Sequence, residues 1–410
     1  MRILQIDKFL DSDLPEAGGV GRHLAVLTDG LQRAGHQVLR FGCVVGRPPG
    51  EMPEFVDYTA LPGLAARVRG AVRIVHNSSA ARKLERFLSA NPADVAHVHN
   101  LYHHLTPSVL GVLRRRGVPA VMTVHDYRLM CPVKHFFRLG EVCTRCLPHR
   151  YWHCVLDNCA GSPWAGAAVA AETCIQRFFR RYVQNVQRVL CPSRFVYRAL
   201  RRDGFPAGKL AVLANPVVFS GPPAEGPGAD GRVLYLGRIS PEKGPEMMLH
   251  LAGLMREVQV TILGDGPMMD DLRAEARRRR LDNVSLPGHV AHEQVGRYLA
   301  EAGAVVVPSR CFEVSPLAVL EGMLAGRVVV APAHGPAGEW IQDGKNGRLF
   351  RPGDAGDMAR VVAEVLANAP ARAEMGRAAA SRVRQRHECE AIVARLVEHY
   401  REAIRQCESP

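Results

Sequence analysis

The chain has 410 residues, 47% of them hydrophobic and 23% charged, with a formal net charge of +13. That length supplies two to three domain-sized units with proper cores. It excludes a membrane span, because no run approaches the roughly 18 apolar residues needed, and a disulfide framework, because the eleven cysteines read as thiols of a reducing compartment. Asp7 and Lys8 interrupt the apolar N-terminus before a signal-peptide core could form, so the expected location is cytoplasmic. The positive charge leaves an anionic membrane surface open, at the inner face of the plasma membrane. Nucleic acid is not expected, since neither zinc-finger spacing nor an aromatic RNA-binding signature accompanies the arginine clusters 114–116 and 277–280, which read as solvated helix ends.

In chain order, Arg2–Ile6 reads as a strand. Gly18-Gly19-Val20-Gly21 opens a helix with Leu24, Leu27 and Leu31 on one face and Gly35 as its stop, and His36–Val45 is the next strand. This strand–helix–strand unit feeds a parallel sheet. Strand-like runs recur at 94–99, 118–125, 188–192 and 210–214, with helical stretches between them. A Pro/Gly-rich linker covers 216–231. A second alternating series follows at 233–236, 259–263, 284–286, 304–308 and 328–331. The expected architecture is α/β: two Rossmann-like, doubly wound domains at 1–215 and 232–387 facing across a cleft, the first with a Cys-rich insertion at 131–159. A last helix within 388–410 has no strand after it and can cross back to brace the first domain.

Open parallel sheets bind ligands beyond the carboxyl ends of their strands. Glu313 and Glu321 follow the strand 304–308, and Ser315 and Pro316 suit an N-cap and first helical position, predicting a helix over 316–325. Both carboxylates can then serve one ligand above a helix N-terminus, where unpaired N–H groups favour a diphosphate and the acids accept from sugar hydroxyls. A bare pair of glutamates at this spacing is also what an ordinary surface helix shows. Arg238 and Lys243 flank another strand-to-helix turn and offer a planar fork and a mobile point charge for phosphate.

The segments 237–244 (Gly-Arg-Ile-Ser-Pro-Glu-Lys-Gly), 263–267 (Leu-Gly-Asp-Gly-Pro) and 286–290 (Leu-Pro-Gly-His-Val), followed by the Glu313/Glu321 pair, resemble glycosyltransferase family 4, the retaining group 1 glycosyltransferases of the GT-B fold. The resemblance is close over 233–354 and looser in the first half. It implies that Arg238 and Lys243 bind a donor diphosphate, Glu313 the donor sugar, Glu321 the ribose with Leu317 beside it, and the main chain near Val290 the base. Gly18 and Gly19 become the donor-facing glycine loop. As a dinucleotide fingerprint that loop fails, since Leu24 stands where a third glycine belongs. His125, at a strand end, matches the family histidine near the reacting carbon, where it can donate a hydrogen bond or shuttle a proton. Val314 and Ser315 depart from the aromatic and glycine that many relatives carry after the first glutamate.

The resemblance implies hexosyl transfer from a UDP or GDP sugar with retention, to a lipid-linked or small-molecule glycan acceptor, in cell-surface polysaccharide or glycolipid synthesis. No cofactor or catalytic metal is expected. A nucleotide-sugar epimerase or phosphorylase of the same fold, or an inactive partner subunit, are the alternatives. His97, His99, His103 and His104 can line the acceptor side or sit on the surface. Cys143, Cys146, Cys154 and Cys159 can hold a structural zinc or pack without one, as Cys-x2-Cys has metal-knuckle spacing. Arg177–Tyr182 can lie near lipid headgroups or form an ordinary amphipathic helix.

Overall fold

The structure is a computed structural model and describes residues 1–11, 18–45, 50–56, 63–219, 226 and 228–408. Most of the 220–227 stretch of the expected linker, like residues 12–17 ahead of the glycine loop, lies outside them. The chain divides into two compact units. Unit 1 holds residues 1–134, 144–216 and 389–410, and unit 2 holds 135–143 and 217–388.

Unit 1 is built on β1 (Arg2–Phe9), β2 (Gln37–Cys43), β3 (Val95–Val98) and β4 (Ala120–Thr123). The Cys-rich insertion contributes an antiparallel pair, β5 (Phe137–Arg138) and β6 (Glu141–Val142), and the sheet resumes with β7 (Arg188–Cys191) and β8 (Leu210–Val212). The six-stranded parallel sheet runs β2-β1-β3-β4-β7-β8. Its inner strands β3 and β4 are buried at every residue, as a sheet covered by helices on both faces requires. The helix Gly18–Arg33 buries Leu24, Leu27 and Leu31 against it. The closing helix Cys389–Glu408 packs Ile392, Val393, Leu396 and Tyr400 into the same core. A Cβ at Gly30 would lie 2.9 Å from both Cys389 Sγ and Val393, so the missing side chain sets how closely these two helices approach.

The insertion does not form one body. Residues 135–143, with the β5–β6 hairpin, group with unit 2, while the short helix Trp152–Leu156 and the helix Pro163–Phe178 belong to unit 1. Two-residue strands carry no periodic signal, which is why the sequence did not announce them.

Unit 2 contains β9 (Arg232–Leu236), β10 (Gln259–Leu263), β11 (Val284–Gly288), β12 (Ala304–Val306), β13 (Val328–Pro332) and β14 (Arg348–Phe350), in the parallel order β11-β10-β9-β12-β13-β14. The edge strand β14 was not expected: its three residues include one fully buried apolar side chain. The helix after β12 spans Leu317–Leu324, with Pro316 in extended backbone as its cap, one residue shorter at each end than expected.

In both sheets the chain first winds outward on one side, from β1 to β2 and from β9 to β10 and β11. It then crosses to the other side at β3 and at β12. The gaps β1/β3 and β9/β12 are therefore topological switch points, where connections leave in opposite directions and the strand ends stay open to a ligand.

Candidate active site

In unit 2 the loops after β9 and β12 meet at the switch point. Lys243 ends a short 3-10 turn, Pro241–Lys243, and its Nζ donates to both oxygens of Glu313 at 2.6 and 2.8 Å. Ser309 Oγ also donates to Glu313. Desolvation pulls the Lys243 ammonium down, but Glu313, together with Cys311 and Glu242, outweighs it and holds the pKa above the ordinary lysine value. The main chain locks the same two loops together, since the amides of Arg310 and Cys311 donate to Glu242 O at 2.9 and 3.2 Å.

Three glycines let this backbone pack so tightly. Gly244 has φ +65°, and a Cβ there would lie 2.5 Å from Pro308 O. Gly264 (φ +136°) and Gly266 (φ +156°) press against Gly237 O and Ile239 O, with hypothetical Cβ distances of 1.8 and 2.4 Å. Only glycine tolerates both the left-handed φ and the approach. Their backbone holds up the turn that carries Arg238, whose carbonyl also accepts from Tyr235 Oη at 2.7 Å. Arg238 itself is exposed.

Glu321 is 2% exposed within the helix Leu317–Leu324, while Leu317 and Val290 are half-buried at the edge of one core with Leu320. A narrow hollow lies against Glu313, lined also by Ser309, Val319, His334 and Trp340. His334, at the end of β13, hydrogen-bonds Ser309 O through Nε2 at 2.9 Å, and its buried Nδ1 has no partner among the described residues. The sequence reading missed His334; the signal available was its place directly after an all-apolar strand.

The switch point of unit 1 is filled by imidazoles. His23 comes from the first turns of the helix Gly18–Arg33, His97 and His99 from β3 and its end, and His125 from the end of β4. His99 Nδ1 and His125 Nε2 are hydrogen-bonded at 2.8 Å. His97 bonds Thr123 Oγ1 at 2.8 Å and Tyr400 Oη at 2.7 Å, so the closing helix reaches the cluster. The His23 ring stacks edge-on against His125 at 4.9 Å, and neither of its nitrogens has a partner among the described residues.

Burial lowers every one of these pKa values, with mutual repulsion adding to it for His97, His99 and His125. His23 falls to about 4, His97 to about 3, and His99 and His125 well below the usual value. The lowered pKa keeps His125 in its neutral form, in which it can donate or accept a hydrogen bond.

Asp7, at the end of β1, is also buried. It accepts from the amides of Asn100 and Phe9 and is pushed up to about 6 by burial. Gly18 and Gly19 are exposed at the helix start. Gly18 has φ +50°, and no atom lies within 4 Å of its hypothetical Cβ, so conformation rather than crowding selects glycine there.

Ligand nitrogens of His23, His99 and His125 lie within 4.8 Å of one another. Among the described residues this is the only group of three or more His, Cys, Asp or Glu so placed. The zinc set expected from spacing does not converge in this way. Cys143 groups with unit 2, whereas Cys146 and Cys154 are buried around Tyr151 in unit 1 and Cys154 hydrogen-bonds Cys159. Cys146, Cys154 and Cys159 pack in one small apolar cluster with Tyr151 and Ala170.

His103 is half-buried and His104 buried, and both are held by neighbours in unit 1. His103 accepts from Arg128 at 2.9 Å, and His104 stacks on Phe55 and bonds Val56 O. Beyond them, unit 1 contains a cavity of about 780 Å³, including its open mouth, with Tyr102, Arg128, Glu172, Gln176, Arg177 and Tyr182 among its lining residues. Arg128 and Glu172 form an ion pair, each side chain 4% exposed. Among the described residues, Arg128 Nε, Gln176 Oε1 and Tyr182 Oη are buried without a hydrogen-bond partner. Such orphaned groups cost free energy unless a ligand or water satisfies them.

The profile of "Glycosyltransferase Family 4" matches residues 17–220 and that of "Glycosyl transferases group 1" matches 225–382. The chain belongs to glycosyltransferase family 4, the group 1 glycosyltransferases. It is 24% identical over 408 residues to the glycogen synthase of Mycobacterium tuberculosis, covering 95% of this chain and 92% of that one. It is 33% identical over 182 residues to the alpha-D-kanosaminyltransferase of Streptomyces kanamyceticus, which spans 43% of this chain and about half (47%) of that relative.

Among solved structures, sucrose-phosphate synthase from Thermosynechococcus elongatus superposes with a TM-score of 0.73 at 20% identity, over 98% of both chains. Anabaena HepE in complex with UDP and glucose gives 0.65 at 18% identity, over 97% of this chain and 99% of that one. These likenesses show the GT-B fold. The protein is a glycosyltransferase of that fold.

Proposed function

We propose that this glycosyltransferase moves a hexosyl unit from a UDP or GDP sugar to a hydroxylated acceptor with retention of anomeric configuration. The observation that carries the reading is the two-pronged Lys243–Glu313 contact at the β9/β12 switch point, beside the exposed Arg238. An incoming diphosphate competes for the Lys243 ammonium and frees the Glu313 carboxylate for sugar hydroxyls. The same pair thus reads both halves of a nucleotide sugar. The complexes of Anabaena HepE with UDP, with UDP and glucose, and with UDP-glucose support this class of donor.

In the reaction the acceptor oxygen bonds to the anomeric carbon as the bond from that carbon to the phosphate oxygen breaks. The acceptor's proton passes to the leaving diphosphate, so no protein base is needed. Lys243 and Arg238 stabilise the charge growing on the leaving group. That charge stabilisation is the part a divalent metal would otherwise play. Neutral His125, held by His99, serves as a hydrogen-bond partner of the donor sugar, as the family resemblance implies. The unit 1 cavity takes the acceptor, whose hydroxyls satisfy Tyr182, Gln176 and Arg128.

A binding screen of uridine and guanosine diphosphate sugars tests the donor, and proton NMR of the product tests retention. Tight binding of one sugar nucleotide with chelator present, and product of the donor's own anomeric configuration, is the expected result. An inverted product, or activity lost on adding chelator, would overturn the mechanism.

A further inference from the structure

A surface helix of a water-soluble domain keeps its apolar stripe inside and its polar residues outside. The helix Pro163–Phe178 does the reverse. Its buried residues include Glu172, Thr173 and Gln176, which line the 780 Å³ cavity. Its exposed residues include Trp164, Ala167, Ala171, Cys174 and Phe178, spaced three and four apart along one face, with Trp164 82% and Phe178 81% exposed. The neighbouring helix Trp152–Leu156, packed on it, adds Trp152 and Leu156 at 55% and 75% exposure. The Arg177–Tyr182 segment is not an amphipathic helix of its own. Arg180, in left-handed backbone at φ 49°, breaks it into a helix end and the short helix Arg181–Asn185, which leaves Phe178 and Phe179 outward and Tyr182 buried.

The charge around this face is one-sided. Residues 145–183 contain five arginines, one aspartate and one glutamate. Asp157 is paired with Arg145 and Glu172 with Arg128, so both acids are already matched. Arg150 and Arg180 are exposed, and the Arg181 guanidinium lies over the Phe179 ring at 5.4 Å. Aromatic side chains at the ends of an apolar stripe, with guanidinium groups beside them, are the composition of the interfacial layer of a bilayer. A partner of opposite charge is needed, and anionic headgroups supply it.

We infer that the outer face of the helix Pro163–Phe178, with Trp152 and Leu156, seats unit 1 on an anionic membrane surface. The same helix then carries the membrane contact on one side and part of the cavity wall on the other. An acceptor whose tail lies in the bilayer would meet the cavity without leaving the interface; this last step alone rests on the acceptor assignment above.

The experiment is co-sedimentation of the full chain with vesicles of phosphatidylcholine alone or mixed with phosphatidylglycerol, at low and high salt. The wild type should pellet with the mixed vesicles, weakly with phosphatidylcholine, and less at high salt. Trp164→Glu and Phe178→Glu should each cut the partition coefficient about tenfold or more, since an apolar anchor is replaced by a charge facing anionic lipid. Arg180→Gln should cut it roughly fivefold. Unchanged thermal midpoints and sugar-nucleotide binding in the variants separate loss of docking from misfolding and from failure of the donor reading. Wild type that stays in solution with anionic vesicles, or glutamate variants that pellet like wild type, would overturn the inference. A dimer that Trp164→Glu dissolves, without vesicle binding by the wild type, would assign the face to a second copy of this chain instead.

Discussion

The two units solve the same topological problem with opposite electrostatics. Each places its site where a six-stranded parallel sheet reverses direction. Unit 2 fills that place with a lysine–glutamate pair and with loops whose glycines allow backbone against backbone. Unit 1 fills it with four imidazoles held in the neutral form, His23, His97 and His99 buried and His125 half-buried. The first arrangement is suited to a ligand carrying charge, because its cation is in place before the ligand arrives and has only to exchange Glu313 for the incoming anion. The second is suited to hydroxyls and to a carbon that gains positive character, because neutral rings can turn a donor or an acceptor without adding like charge. A shared switch point thus fixes where a site lies, and the residues delivered to it fix what the site can bind.

The largest effect expected is on unit 2 chemistry. Lys243→Ala removes the cation and strands Glu313, and should lower turnover roughly 10²- to 10³-fold, about 3 kcal/mol or more. Single-turnover kinetics check it, and near wild-type turnover would break the contrast between a charged and a neutral half. Next comes Gly264→Ala. Its Cβ would have to lie 1.8 Å from Gly237 O at a φ of +136°, so the loops after β9 and β10 must separate. A loss of about 3 kcal/mol in denaturant unfolding, together with weaker sugar-nucleotide binding, is expected. An unaffected midpoint would mean that the loop packing does not hold the site.

The smallest effect is on the pH dependence of unit 1. His23, His97, His99, His103, His104 and His125 all have lowered pKa values, His103 to about 2 and His104 to about 4. Below about pH 6.5 the unfolded chain takes up protons that the folded histidines refuse, so acid destabilises the fold. Asp7 and Asp203, each pushed up to about 6 by burial, act in the other direction, as do Asp126 and Glu172, because each is protonated in the fold while still ionised in the unfolded chain. The six lowered histidines outnumber the four raised carboxyls. The thermal midpoint should therefore fall from about pH 7 to about pH 5. A midpoint that rises over that range would show that the carboxyls dominate and that the imidazole cluster is better solvated than its burial implies.

The alternation of apolar runs and helical stretches was legible in the chain, as were the glycine positions after strands and the acids and cations that gather at strand ends. Parallel strands read as continuous apolar runs, and glycine is the one residue that left-handed backbone accepts cheaply. In Arg238, Lys243, Glu313 and Glu321, taken with the glycine segments between them, the sequence offered grounds to expect a site for a charged, hydroxylated ligand in the second half. What it could not carry were the pairings. That Lys243 holds Glu313, that His334 braces the loop of Ser309, and that His97 reaches Tyr400 depend on residues 70, 25 and 303 positions apart. Tertiary structure also decided the setting of His125, since the neighbours that lower its pKa, His23 and His97 among them, lie on elements that its own strand does not reveal. It decided as well that the helix Pro163–Phe178 turns its polar side inward. A helical repeat states only that two faces differ, and the packing around them chooses which one meets solvent.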